Sequence, residues 1–304
     1  MDEHQDDRSE TRWFAVVNPT AGRRTIDIDR LRKGATSAGV QLVLQITAST
    51  SEAHEAVTRA VREGFDHFVA VGGDGTAHTI VNALMPLRSD GRCFVLGLVA
   101  SGSGSDLVRT FGHNRDLDEG FRRLAIPDRY PIDVGVVRLP DRSVYFLNAA
   151  NIGVAAVSAR AAERLPRRLG GLRYIVAFWW SLARYRVGSL DVAVDHHRFA
   201  GEATNVVIAN GQFFGGGMNI APRASTNDGL FDVQVFSGPK RHAFTVMPRL
   251  LVGTHLTHRA VHRYIGSRVV VDAAAATPVE ADGEVIGATP VTIELIPGAV
   301  DLVV

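Results

Sequence analysis

The residues best suited to chemistry in this sequence are Gly72, Gly73, Asp74, Gly75 and Thr76. An apolar run from Phe68 to Val71 leads into them. It reads as a buried parallel strand, because β-branched and apolar residues fill it and glycines end it. Beyond them Ile80, Val81 and Leu84 share one helical face, so the spacing predicts a helix over Thr76–Leu87. A strand, a glycine turn and a helix N-terminus together form an anion site, where backbone N–H groups and the helix dipole face a phosphate. The glycines are expected to supply positive φ and close backbone approach. Asp74 would repel a bare phosphate, and a cation between the two, Mg²⁺, removes the conflict.

Other candidates are spread along the chain. Ser101–Asp106 is a glycine/serine loop after a buried strand, without the third glycine of a dinucleotide fingerprint. Asp282 and Glu284 stand two apart. They would share one face of a strand, or Asp282-Gly283 would be a hairpin turn. His196-His197 reads as a solvated turn, and His255 and His258 read as surface residues without an acidic partner. Arg164, Arg167 and Arg168 precede a run from Leu172 to Trp180 that contains Arg173, and Arg184 and Arg186 lie beyond it. Arginines beside aromatics suit an anionic membrane surface, and a helix covering a core is the other reading.

These residues need a frame. The chain has 304 residues, 46% of them hydrophobic, enough for two domains. A net charge of +1 gives no nucleic-acid-binding character. Lys33 and Lys240 are the only lysines, so a Walker-type phosphate lysine is absent from the glycine turn. The single cysteine, Cys93, excludes an intrachain disulfide, fits a reducing, cytoplasmic setting and is expected in the core. Met1–Arg12 is polar and is expected to be a disordered tail rather than a signal peptide. Four strand–helix alternations follow, with strands at Trp13–Val17, Val40–Ile46, Phe68–Val71 and Cys93–Val99, and predict a three-layer α/β domain with a parallel sheet. Loops 18–24, 72–76 and 101–106 would gather at its carboxyl edge. From Tyr130 the pattern turns to period two. Strands at 134–139, 144–149, 190–194, 204–209, 230–236, 268–271, 279–286 and 291–296 predict an antiparallel β-sandwich. Helical insertions interrupt it near 155–186 and 241–256.

Asn18-Pro19-Thr20-Ala21-Gly22, Gly72–Thr76, Gly102–Asp106, Asn148 with Gly153, Asn210 with Gly215–Met218, Ala221–Ala224, Asp228–Asp232 and Asp282–Glu284 follow one another in this order. The ordered set resembles the bacterial diacylglycerol kinase-like lipid kinases, which share their catalytic domain with sphingosine and ceramide kinases. The likeness covers nearly the whole chain after residue 12. It implies a nucleotide-binding α/β domain over 13–136, rejoined by about 299–304, and a lipid-substrate β-sandwich domain over 137–298, with ATP between them. It implies ATP contacts at Asn18, Pro19, Thr20, Ala21, Gly22, Thr47, Gly72, Gly73, Asp74, Gly75, Thr76 and Ser103. Asp282 or Glu284 would be the catalytic base or its orienting partner, with Asp74 completing the catalytic set. Asp228, the Leu230 carbonyl and Asp232 would hold a structural Mg²⁺. The activity implied is ATP- and Mg²⁺-dependent phosphorylation of a lipid hydroxyl, diacylglycerol first, on a peripheral membrane surface, with a homodimer left open. A kinase of a soluble hydroxyl compound such as NAD, and a catalytically degenerate regulator, are the alternatives. His78-Thr79 stands where the family has Asn-Glu, and Ser105 where it has Asn.

Overall fold

A computed structural model describes residues 11–19, 26–89, 92–100, 106–112, 116–166, 169 and 172–304. Thr20, Ala21, Gly22, Ser103, Arg167 and Arg168, all named from the sequence, lie outside the described residues. The chain divides into two compact units, one of residues 1–102, 114–130 and 301–304, the other of 103–113 and 131–300. By compactness the division falls at 130/131, and a piece beginning at 103 is counted with the second unit.

The first unit contains β1 (Arg12–Val17), α1 (Ile28–Ser37), β2 (Gln41–Ile46), α2 (Thr50–Arg62), β3 (His67–Gly72), α3 (Asp74–Leu84) and β4 (Val95–Ala100). Next in the chain is α4 (Asp106–Thr110), part of the second unit, and then α5 (Leu117–Ala125) returns to the first. The strands are parallel in the order β2-β1-β3-β4, and Asp301 and Leu302 continue the sheet beside β4. Alternation along the strands splits the core in two. Ala15, Val17, Val69 and Val71 face Leu31, Ala35, Phe121 and Leu124 of α1 and α5. Phe14 and Phe68, whose rings are 6.0 Å apart, lie on the face toward α2 and α3. This is the three-layer arrangement expected. Asp27 and Ser49 cap α1 and α2 through their side chains. Arg12 belongs to β1 rather than to a tail. Cys93 is exposed, because the strand begins only at Val95.

The second unit holds β5 (Arg129–Arg138, from Pro131 on), β6 (Ser143–Phe146), β7 (Ala149–Gly153), α6 (Val154–Glu163), α7 (Leu172–Arg184), β8 (Gly188–Val194) and β9 (His197–Ala209). It continues with β10 (Phe213–Phe214), β11 (Met218–Asn219), β12 (Phe231–Ser237), α8 (Ala243–Leu251), β13 (Val261–Gly266), β14 (Arg268–Ala273), β15 (Pro278–Ala281), β16 (Glu284–Ala288) and most of β17 (Val291–Val303). These strands pair antiparallel, as the period-two pattern predicts. β9 is the organising strand: its first half pairs with β8 and its second half with β7 and β12. One core gathers Phe146, Ile152, Val192, Ile208, Phe231 and Ile293, with Phe146 stacked on Phe231 at 5.7 Å. A second gathers Val207, Ile220, Met247 and Leu250 with Phe178, beneath α7 and α8. The segment expected as one strand over 279–286 is a hairpin, because Asp282 and Gly283 both take positive φ, +48° and +96°.

Candidate active site

In the first unit, register gathers the expected nucleotide contacts. Val17 of β1 pairs with Ile46 of β2 and with Val71 of β3. Asn18, Thr47 and Gly72, each the next residue, therefore stand side by side at the carboxyl edge of the parallel sheet. Thr47 is buried, and its N–H donates to the Val17 carbonyl at 3.0 Å. Gly72 pairs with Ala100, the last residue of β4.

Gly73 is the N-cap of α3, at φ −115°, and no side chain caps the helix. Neither Gly73 nor Gly75 uses the positive φ expected of them. What their lack of a side chain provides is space, since a Cβ on either would meet nothing within 4 Å. An uncapped helix N-terminus with an open approach suits a phosphate chain, and Asp74 lies in its first turn. His78 and Thr79 are buried in α3 itself. The Thr79 hydroxyl donates to the Gly75 carbonyl at 2.9 Å, and His78 Nε2 lies 3.2 Å from Asn82 Nδ2.

In the second unit, the Asp282 carboxylate accepts three backbone N–H groups, from Leu147 at 2.7 Å, Asn148 at 2.9 Å and Ala149 at 3.2 Å. Such a carboxylate is suited to orient the turn. Glu284, two residues on, is exposed. Sequence reasoning missed Glu280, which is fully buried on β15. Glu280 accepts from Asn151 Nδ2 at 2.8 Å and from the Gly283 N–H. Asn151 in turn accepts from Asn205 Nδ2 at 3.4 Å, and Asn205 accepts the Ala155 N–H at 2.9 Å, at the start of α6. The α6 N-cap is Gly153, at φ +115°; a Cβ there would lie 2.6 Å from the Thr204 carbonyl, so only glycine fits.

Asn151 and Asn205 also line a cavity, otherwise walled largely by apolar residues such as Phe178, Leu182, Met218, Met247 and Leu250. It is partly open to solvent. That lining suits a ligand with an apolar body and few polar groups.

The structure also brings together two glycine-containing motifs. Gly215, Gly216 and Gly217 all take positive φ, and the Gly216 N–H donates to Asp106 Oδ2 at 2.9 Å. Arg109, unnoticed in the sequence, packs against Gly217 with its guanidinium 5.7 Å from the Phe213 ring centroid. Asp106 therefore anchors a glycine loop.

The residues expected to hold a structural Mg²⁺, Asp228, Leu230 and Asp232, lie at the start of β12 and just before it. Asp232 is buried, with Oδ2 accepting from Arg263 Nε at 2.7 Å and Oδ1 from Gln234 Nε2 at 3.0 Å. Asp228 Oδ1 accepts the Leu230 N–H at 3.1 Å. Among the described residues no three acidic, histidine or cysteine side chains gather as a metal site. The carboxylate that does hold this loop is Asp133, 1% exposed, which accepts from Gly229 N at 2.8 Å and Gly298 N at 2.9 Å. A single acid inside the apolar run Ile132–Val137 was its only sequence signal. His255, expected at the surface, is buried and lies 2.8 Å from Gln234 Oε1. Burial pushes its imidazole below the ordinary value of 6.5, against the opposing pull of the Ile220 carbonyl and the Asp232 charge.

Comparison with known proteins fits this geometry. Residues 12–137 match the diacylglycerol kinase catalytic domain. Residues 148–304, more than half the chain, match the YegS C-terminal NAD kinase beta sandwich-like domain. Proteins named "Probable lipid kinase YegS" from Salmonella heidelberg and Salmonella agona are each 28% identical over 219 residues, 71% of this chain and 72% of theirs. A crystal structure titled as a diacylglycerol kinase from Bacillus anthracis str. Sterne shares the fold, with a TM-score of 0.74 at 20% identity over 96% of each chain. The chain thus belongs to the family of YegS-type lipid kinases, in which a diacylglycerol kinase catalytic domain precedes a β-sandwich-like domain.

Proposed function

We propose that the protein transfers the γ-phosphate of ATP, with Mg²⁺, to the free hydroxyl of diacylglycerol. The observation that carries the acceptor class is the continuity from cavity to turn. Asn151 and Asn205 form a polar part of a largely apolar wall, and Glu280 ties Asn151 to the Asp282-Gly283 turn. An acyl chain suits the apolar part, and its glycerol end suits the amides. A soluble acceptor would leave that apolar lining without a use.

Gly72, Gly73, Gly75 and Thr76, with Asn18 and Thr47 beside them at the sheet edge, would hold the nucleotide. Asp74 is the residue to hold Mg²⁺, which is commonly bound by one or two carboxylates together with phosphate oxygens. When bound, the metal neutralises charge on the phosphates during transfer. Glu284 would accept the proton of the lipid hydroxyl as the phosphorus–oxygen bond forms, and Asp282 would position it by fixing the turn to residues 147–149. The test is ATP-dependent labelling of diacylglycerol by the purified protein.

A further inference from the structure

Two helices of the second unit are apolar on more than their inner faces. On α7, Ala177 and Leu182 are buried, and Phe178 and Leu182 line the cavity. Leu172, Val176 and Trp180, at i, i+4 and i+8, form a second stripe that is exposed, Trp180 by 60%. On α8, Val246, Met247 and Leu250 face inward, while Phe244 is 68% exposed and Leu251 and the following Val252 are also exposed. Trp179 stacks on Phe244 at 4.7 Å, and Lys240 Nζ donates to the Ala183 carbonyl at 3.2 Å, so the helices present one surface. Scattered apolar residues need no explanation, but a contiguous set of this kind marks an interaction site.

Charge identifies the partner. The chain has a net charge of only +1, yet from Arg164 to Leu190 it carries six arginines and no Asp or Glu. From Val233 to His262 it carries Lys240, Arg241, Arg249 and Arg259, again with no acid. Arg184 lies over the Trp180 ring at 3.6 Å, placing a cation beside the most exposed aromatic of α7. A second copy meeting this face about a two-fold axis would set arginine against arginine. We propose that the outer faces of α7 and α8 dock on an anionic lipid bilayer, with Trp180, Phe244 and Val252 entering the headgroup boundary and the arginines on lipid charge. The choice of a bilayer rests on the lipid-kinase reading, but docking requires no turnover.

The experiment is co-sedimentation of the whole protein with phosphatidylcholine vesicles, with and without phosphatidylglycerol. Variants are Trp180→Ala with Phe244→Ala, and Arg184→Glu with Arg241→Glu. Phosphorylation of a short-chain, water-dissolved diacylglycerol is measured in parallel. The wild type is expected to bind only the anionic vesicles, and less at high salt. Each double variant should bind at least about tenfold more weakly, since one exposed aromatic or two charges account for that much. Short-chain turnover should be unchanged, which also shows the variants folded. Absence of wild-type binding, equal binding to neutral vesicles, or variants that bind like wild type would overturn the proposal. So would variants that lose a self-associated species while keeping vesicle binding. Vesicle binding without turnover of any lipid would leave docking standing and sink the kinase reading instead.

Discussion

Asp106 and Gly216 lie 110 residues apart in sequence and are joined at 2.9 Å, the glycine N–H donating to the carboxylate. Three successive left-handed glycines, 215 to 217, present a backbone that suits an anion, and the chain supplies that anion itself. Asp106→Ala should free the loop and cost about 2 kcal/mol, the worth of a hydrogen bond to a buried charge. Faster amide exchange at 215–218, with the rest of the protein unchanged, would register it. Unaltered exchange there would show that the loop holds its shape without Asp106.

The two carboxylates of the Asp282–Glu284 turn should separate in their effects. Asp282→Ala strips three N–H groups of their acceptor and forces alanine to φ +48°. A loss of about 3 kcal/mol or more is expected in urea denaturation. Asparagine tolerates the left-handed region and keeps one acceptor oxygen, so Asp282→Asn should cost about 1 kcal/mol. Glu284→Gln, at an exposed position, should leave stability alone and lower kcat about 100-fold or more, as removal of a general base does. Equal kcat losses without instability for both residues would reverse these roles.

Gly75 stands in α3 at an ordinary φ with open space around it, so the fold does not need glycine there. Gly75→Ala should raise helix stability by up to about 1 kcal/mol. It should also raise the KM for ATP, because a methyl group enters the approach to the helix N-terminus. A more stable protein with unchanged ATP affinity would move the phosphate site elsewhere.

His255 makes stability depend on pH. Its folded imidazole titrates below the unfolded one, so the unfolded chain binds the extra proton first as pH falls. Stability is therefore full above the ordinary value of 6.5 and declines as pH drops below it, until the folded histidine also protonates. Denaturation midpoints from about pH 8 down to about pH 5 should show that slope, and His255→Gln should flatten it. A slope unchanged in the variant would assign it to other groups.

The parallel α/β unit was legible because its strands are short apolar runs and glycines mark where they end, as at Val71-Gly72. Asp282-Gly283 was legible as a turn signal, yet the run from Val279 to Ile286 hid the break, since apolar residues continue on both sides. The buried polar groups were not legible. Glu280 meets Asn151 only because β15 pairs with β7, across 129 residues, and no local spacing encodes that contact. Asp232 showed no partner in the sequence, because Arg263 comes from the neighbouring strand β13. His255 looked exposed because no acidic partner stands near it in sequence, whereas a single 3₁₀ turn carries it under Phe236 and Gln234.

The most direct measurement is incubation of the purified protein with γ-labelled ATP, Mg²⁺ and diacylglycerol, followed by identification of the labelled lipid. Labelled phosphatidic acid from the wild type, lost with Asp74→Ala and with Glu284→Gln, is the predicted result. No labelled lipid from the wild type, or full labelling by both variants, would contradict the account.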